Sequence, residues 1–111
     1  MSRLTTAFKV KALIRRVHDA GGSAMVLARG DETAGAVLVI AQERDEPVRF
    51  YERGFGPGGA AALIESGPKG SDVESGDSYW ARRRARDPDL WVIELRIPSA
   101  ERFAAETMLV D

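Results

Sequence analysis

The chain has no cysteine and one histidine, His18. Without thiols it can form no disulfide and offers no thiolate as nucleophile or metal ligand. A lone imidazole does not complete a zinc site of the usual kind, so the metals within its reach are hard, carboxylate-bound cations such as magnesium. Long apolar runs are also missing. Met1 to Arg16 mixes apolar and basic residues with no signal-peptide core, and nothing later approaches the length of a membrane span. These absences predict a cytoplasmic chain with no membrane partner. Nor is there a large excess of one charge: 16 basic against 17 acidic side chains leave a formal charge of -1. Wholesale attraction to nucleic acid is therefore not expected.

What is present suffices for one core. With 111 residues, 44% of them hydrophobic, the chain predicts a single domain over residues 1–111. Its charges are grouped. Lys9, Lys11, Arg15 and Arg16 make the first segment basic, Asp72, Glu74 and Asp77 make a later stretch acidic, and Arg82, Arg83, Arg84 and Arg86 form a second basic cluster.

Val10, Leu13, Ile14 and Val17 recur at helical spacing and predict an amphipathic helix ending at Gly21-Gly22. Phe8, Val10 and Ala12 also fit period two, which leaves room for a short strand ahead of it. Ser23 to Arg29, Ala34 to Gln42 and Val48 to Phe55 read as three strands joined by short turns, hence as an antiparallel meander. Gly54 to Gly76 reads as a long mobile surface loop, with one or two helical turns over Ala60 to Ile64. Asp77 or Ser78 is placed to cap a second helix that runs through the arginines and stops at Asp87-Pro88. Leu90 to Ile97 alternates cleanly as a strand with Trp91, Ile93 and Leu95 on its core face. Ser99 to Val110 fits either a helix or a returning strand. The class is α+β: a mostly antiparallel sheet with two main helices.

Three segments in this order, Lys11-Ala-Leu-Ile-Arg-Arg16, Arg29-Gly-Asp31 leading into Ala34-Gly-Ala-Val-Leu-Val39, and Arg86-Asp-Pro-Asp-Leu-Trp-Val-Ile-Glu94, carry a resemblance. Together they resemble a family of small bacterial proteins known only as a domain of unknown function. The resemblance implies a compact α+β domain; it brings no activity, cofactor or catalytic residue.

Each chemical motif has a plainer reading beside it. Gly54, Gly56 and Gly59 match G-x-G-x-x-G after a strand, but Gly67-Pro68 leaves no room for the crossover helix of a dinucleotide fold. Arg29-Gly30-Asp31 reads as turn chemistry between two strands. His18, even with Asp19 or Asp31 to orient it, has no identifiable nucleophile to serve and reads as a surface side chain. Asp87 and Asp89, with Asp72, Glu74 or Asp77, are a possible magnesium set and also ordinary solvated caps. Arg82, Arg83, Arg84 and Arg86 beside Tyr79 and Trp80 offer charge and stacking faces for a phosphate backbone. Consecutive arginines, however, point in different directions around a helix, and the carboxylates Asp87 and Asp89 follow at once. On that solvated reading Arg83→Ala costs less than about 0.5 kcal/mol.

The reading that results is a non-catalytic binding module that meets an acidic partner, protein or nucleic acid, through basic helix faces. Its candidate residues are Arg15, Arg16, Arg29, Arg82, Arg83 and Arg86, flanked by Asp87 and Asp89. The alternatives are a small carboxylate- or metal-dependent enzyme and a nucleic-acid-binding protein. The residues specify no cofactor and no substrate.

Overall fold

The structure, a computed structural model, describes residues 4–68 and 76–110. Helix α1 spans Thr6–Asp19. It starts where Thr5 accepts a hydrogen bond from the Phe8 N–H at 3.2 Å, the N-cap arrangement that satisfies an otherwise orphaned helical donor. It stops where Gly21 takes a φ of 90° and the Gly22 N–H donates to the Val17 carbonyl, as helices ending on a left-handed glycine do. The helix thus begins ahead of Phe8, and no strand precedes it among the described residues.

Among the described residues five strands follow: β1 Ser23–Ala28, β2 Val37–Gln42, β3 Arg49–Phe55, β4 Ala61–Ser66 and β5 Trp91–Arg96. Two more helices complete the fold, α2 at Gly76–Arg86 between β4 and β5 and α3 at Ala100–Met108 after β5. The sheet order is β1-β5-β2-β3-β4. Its β1–β5, β2–β3 and β3–β4 pairs are antiparallel and its β2–β5 pair is parallel. The fold is α+β, as expected, but with three α-helices among the described residues and a mixed sheet. Of the expected meander of β1, β2 and β3 only the β2–β3 hairpin holds, and β4 extends it on the far side of β3. β5 inserts between β1 and β2, so the Arg29-Gly30-Asp31 segment belongs to a connection between non-adjacent strands and not to a hairpin.

The glycine-rich stretch is the largest correction. Ala61–Ser66 is a strand paired residue for residue with β3, and a 3-10 turn at Pro57–Gly59 joins the two. Gly58 and Gly59, at φ 78° and 82°, make that turn. No helical turns form over Ala60 to Ile64, because period-two pairing with β3 satisfies the backbone there. Gly54, Gly56 and Gly59 are hairpin residues. Helix α2 begins at Gly76, which puts Asp77 in its first turn and not at its cap. Of Ser99 to Val110, Ala100–Met108 is helix and no returning strand forms there.

The pleat divides the apolar residues between two faces. On one, Val39, Ala41, Tyr51, Trp91, Ile93 and Leu95 pack against Val10, Leu13 and Val17 of α1 and Ala100, Ala104 and Met108 of α3. On the other, Leu38, Ile40, Phe50 and Val92 pack against Tyr79 of α2 and Leu90. The result is three layers, two helices above the sheet and one below. Among the described residues no helix is long and apolar enough to cross a membrane.

Candidate functional site

The two basic segments lie on opposite faces of the sheet, so they do not form one surface. On α1, Arg15 points outward and lies 3.9 Å from Asp19. Arg16 turns toward α3, donating to the Thr107 hydroxyl at 2.7 Å and the Glu106 carboxylate at 2.6 Å, with its guanidinium over the Phe103 ring. The hydrogen bond from Arg16 holds the Glu106 carboxyl below its ordinary value.

Arg83 of α2 is half-buried. It forks onto both oxygens of Glu52 on β3, at 2.7 and 2.8 Å, and donates to the Tyr79 hydroxyl at 2.7 Å. The hydrogen bonds from Arg83, assisted by one from Ser66, hold the Glu52 carboxyl below its ordinary value against the opposing effect of burial. The same hydrogen bonds raise the Arg83 guanidinium. Arg83 is thus a strut between helix and sheet and not the solvated side chain expected of it. Arg84 donates to the Arg29 carbonyl at 2.6 Å. Arg82 and Arg86 are exposed.

Arg29, Asp87 and Asp89 belong to a second structural knot. The Arg29 guanidinium lies 5.1 Å from the center of the Trp91 ring and 3.6 Å from Glu32. The Trp91 indole N–H donates to the Asp31 carbonyl at 2.8 Å, and the Asp31 N–H donates to the Asp89 carbonyl at 3.0 Å. Asp87 accepts from the Asp89 N–H, closing the turn around Pro88. The approach is so close that an added Cβ at Gly30 would stand 2.0 Å from the Asp89 carbonyl oxygen. Two of the three segments that carry the family resemblance therefore pack on each other.

The carboxylates do not converge. Asp77 and Asp87 sit at opposite ends of α2, about 15 Å apart along its axis at 1.5 Å per residue, and no cluster of three ligating residues forms among the described residues. Asp72 and Glu74 lie outside them. His18 accepts from the Ala24 N–H at 3.3 Å, tying α1 to β1.

Convergence is found elsewhere. A cleft of about 620 Å³ opens beneath the first turn of α1, between the 33–36 connection and the β3–β4 hairpin. Val37, Val39, Leu63 and Met108 form its floor, Leu4 and Phe55 stand at its rim, and Lys9 and Arg53 are its two cations. Lys9 is only 9% exposed, whereas Phe55 is 78% exposed. Thr6 fixes the near wall by donating to the Gly35 carbonyl at 2.8 Å. A roomier hollow of about 830 Å³ lies at the other end of the sheet, walled by 42–47 and 96–98. Its charges, Glu43, Asp45 and Glu46 against Arg44 and Arg96, are mixed in sign and give no direction to a ligand.

Sequence reasoning passed over Lys9 and Arg53 as site residues, yet each carried a signal. Lys9 lies four and eight residues before Leu13 and Val17, on the buried stripe of α1. Arg53 follows Tyr51 by two on β3 and shares its side of the sheet, exposed where α1 and α3 no longer cover it. A cation on an inward position asks for a reason.

Fold and cleft together define a class, a small α+β domain whose open cleft is entered between a helix start and a sheet end. The chain belongs to the family described as "Protein of unknown function (DUF1491)", whose model matches residues 4–105. A crystal structure of a DUF1491 family protein from Caulobacter crescentus CB15 is 34% identical with a TM-score of 0.76, covering 90% of this chain and 94% of that one. An NMR structure of a DUF1491 family protein from the same organism is 33% identical at TM-score 0.74, covering 93% and 94%. The solution structure of protein Atu0922 from A. tumefaciens is 29% identical at TM-score 0.67, covering 98% and 93%. No curated protein matches the chain.

Proposed function

We propose that the chain is a non-catalytic binding module and that its ligand enters the cleft beneath α1. One observation carries the reading: a buried cation, Lys9, and an exposed one, Arg53, line a single concavity with an apolar floor. A concave, mostly apolar site with a few convergent polar groups is the usual form of a small-molecule site. Arg16, Arg29, Arg83 and Arg84 hold helices, loops and sheet together, and in this reading the acidic partner is met at the two cations that line a concave site. The nucleic-acid reading loses Arg83 and Arg84 to the same commitments and keeps the exposed Arg82 and Arg86.

The test is a fragment screen on the 15N-labelled protein. Amide shifts gathered at 33–37 and 53–55 support the cleft; shifts confined to α2 or to the 42–47 turn move the binding surface and overturn the reading.

A further inference from the structure

We infer that the cleft takes a small organic anion with an apolar tail, its acidic head at Lys9 and Arg53 and its tail along the floor toward Phe55. The inference rests on the cleft being the binding site and names the chemistry of what it binds.

The head group follows from the cations. Lys9 comes from α1 and Arg53 from β3, so two elements each bring one cation to the lining of the same cleft. No carboxylate is among the described residues that line the cleft. Both side chains already interact within the chain, so an incoming acid joins or exchanges with those interactions. The positive end of the α1 dipole has the same sign. Its N–H groups take no part, since Thr6 and Ala7 donate to the Thr33 and Glu32 carbonyls and Phe8 donates to Thr5. A carboxylate or a phosphate satisfies an ammonium and a guanidinium together, the second through its planar fork.

The tail follows from the walls. Val39 and Met108 are buried beneath the cleft, while Leu4 and Phe55 at the rim are exposed at 40% and 78%. Inorganic phosphate would leave that apolar surface wet. An alkyl chain or a flat ring attached to the acid covers it, and covering apolar surface is favourable roughly in proportion to area. At about 620 Å³ the volume falls in the range of small-molecule sites.

The experiment is a titration of the 15N-labelled protein with four probes: octanoate, octyl phosphate, inorganic phosphate and 1-octanol. Both octyl anions are expected to shift the amides of 33–37 and 53–55 and to bind at least tenfold more tightly than inorganic phosphate or octanol. Lys9→Met, which keeps most of the stem, and Arg53→Gln, at an exposed position, are each expected to weaken the anions about tenfold and leave octanol unchanged. The amide spectrum of each variant reports whether it is folded. Binding of either octyl anion with this pattern supports the inference, and their ratio identifies the head group. Octanol binding as tightly as octanoate overturns the anion and leaves the cleft standing. Inorganic phosphate binding as tightly as octyl phosphate overturns the tail. Shifts away from the cleft for every probe overturn both readings.

Discussion

The two faces of the sheet are built by different means. Above it, α1 and α3 dock through aliphatic and aromatic side chains, and Leu13, Val17, Ile93, Leu95, Ala100 and Ala104 are fully buried there. Below it, α2 brings Tyr79 as its one buried apolar residue and Trp80 as a partly buried one. The rest of its attachment is polar: Arg83 on Glu52, Tyr79 on Ser66, Arg84 on the Arg29 carbonyl. Tyr79 also meets Phe50 edge-on, with ring centers 4.8 Å apart. A helix with too few apolar residues to bury a stripe must dock through directional contacts, and each of those gives less net stability than a buried large side chain. The lower face is therefore expected to be the weaker one, more sensitive to pH and to single polar substitutions.

The largest effect expected is on the upper face. Trp91, 2% exposed, fills the junction of β5, β2 and the 29–36 connection, and Trp91→Ala is expected to cost about 3 to 5 kcal/mol in urea denaturation. A variant as stable as the parent would contradict the core described above. Next is Gly30→Ala, which places a methyl group against the Asp89 backbone; the connection must shift, at a cost of about 1 to 3 kcal/mol by the same measurement.

The lower face comes third. Arg83→Ala removes a forked pair whose partners are 30% and 27% exposed, and it is expected to cost about 1 to 2 kcal/mol. That exceeds the limit of about 0.5 kcal/mol set by a solvated-face reading. Glu52→Gln sharpens the contrast through pH. The folded Glu52 carboxyl lies below its ordinary value, so its contribution is complete above about pH 4.3 and is lost as pH falls through the lower folded value. Between about pH 5 and 3 the parent's urea midpoint should fall more steeply than that of Glu52→Gln; equal slopes would mean the pair adds no stability. The smallest effect is expected at exposed Arg86, where Arg86→Ala should change stability by less than about 0.5 kcal/mol.

The upper face was also the more legible one. The stripe Val10, Leu13, Ile14 and Val17 identified α1, and the alternation of Trp91, Ile93 and Leu95 identified β5 and its inward face, because burial on one side imposes a period on the residues themselves. Neither signal reaches α2. Its arginines looked alike in the sequence, and nothing local separates Arg83, which meets a carboxylate 31 positions away, from exposed Arg86. β4 was missed for a related reason: Ala61–Ser66 is short and framed by glycines, and pairing with β3 decided its conformation against its own weak preference.

Local pattern alone thus determined the α+β class, the position of α1, the strand character of β2, β3 and β5, and the core role of Trp91. Each of these depends on a period carried within one segment. Only the tertiary structure decided that β5 lies between β1 and β2, that Arg16 and Arg83 are struts, and that Lys9 and Arg53 share a cleft. Each of those depends on which distant segments meet, and chain pairing over tens of residues leaves no periodic trace in either partner.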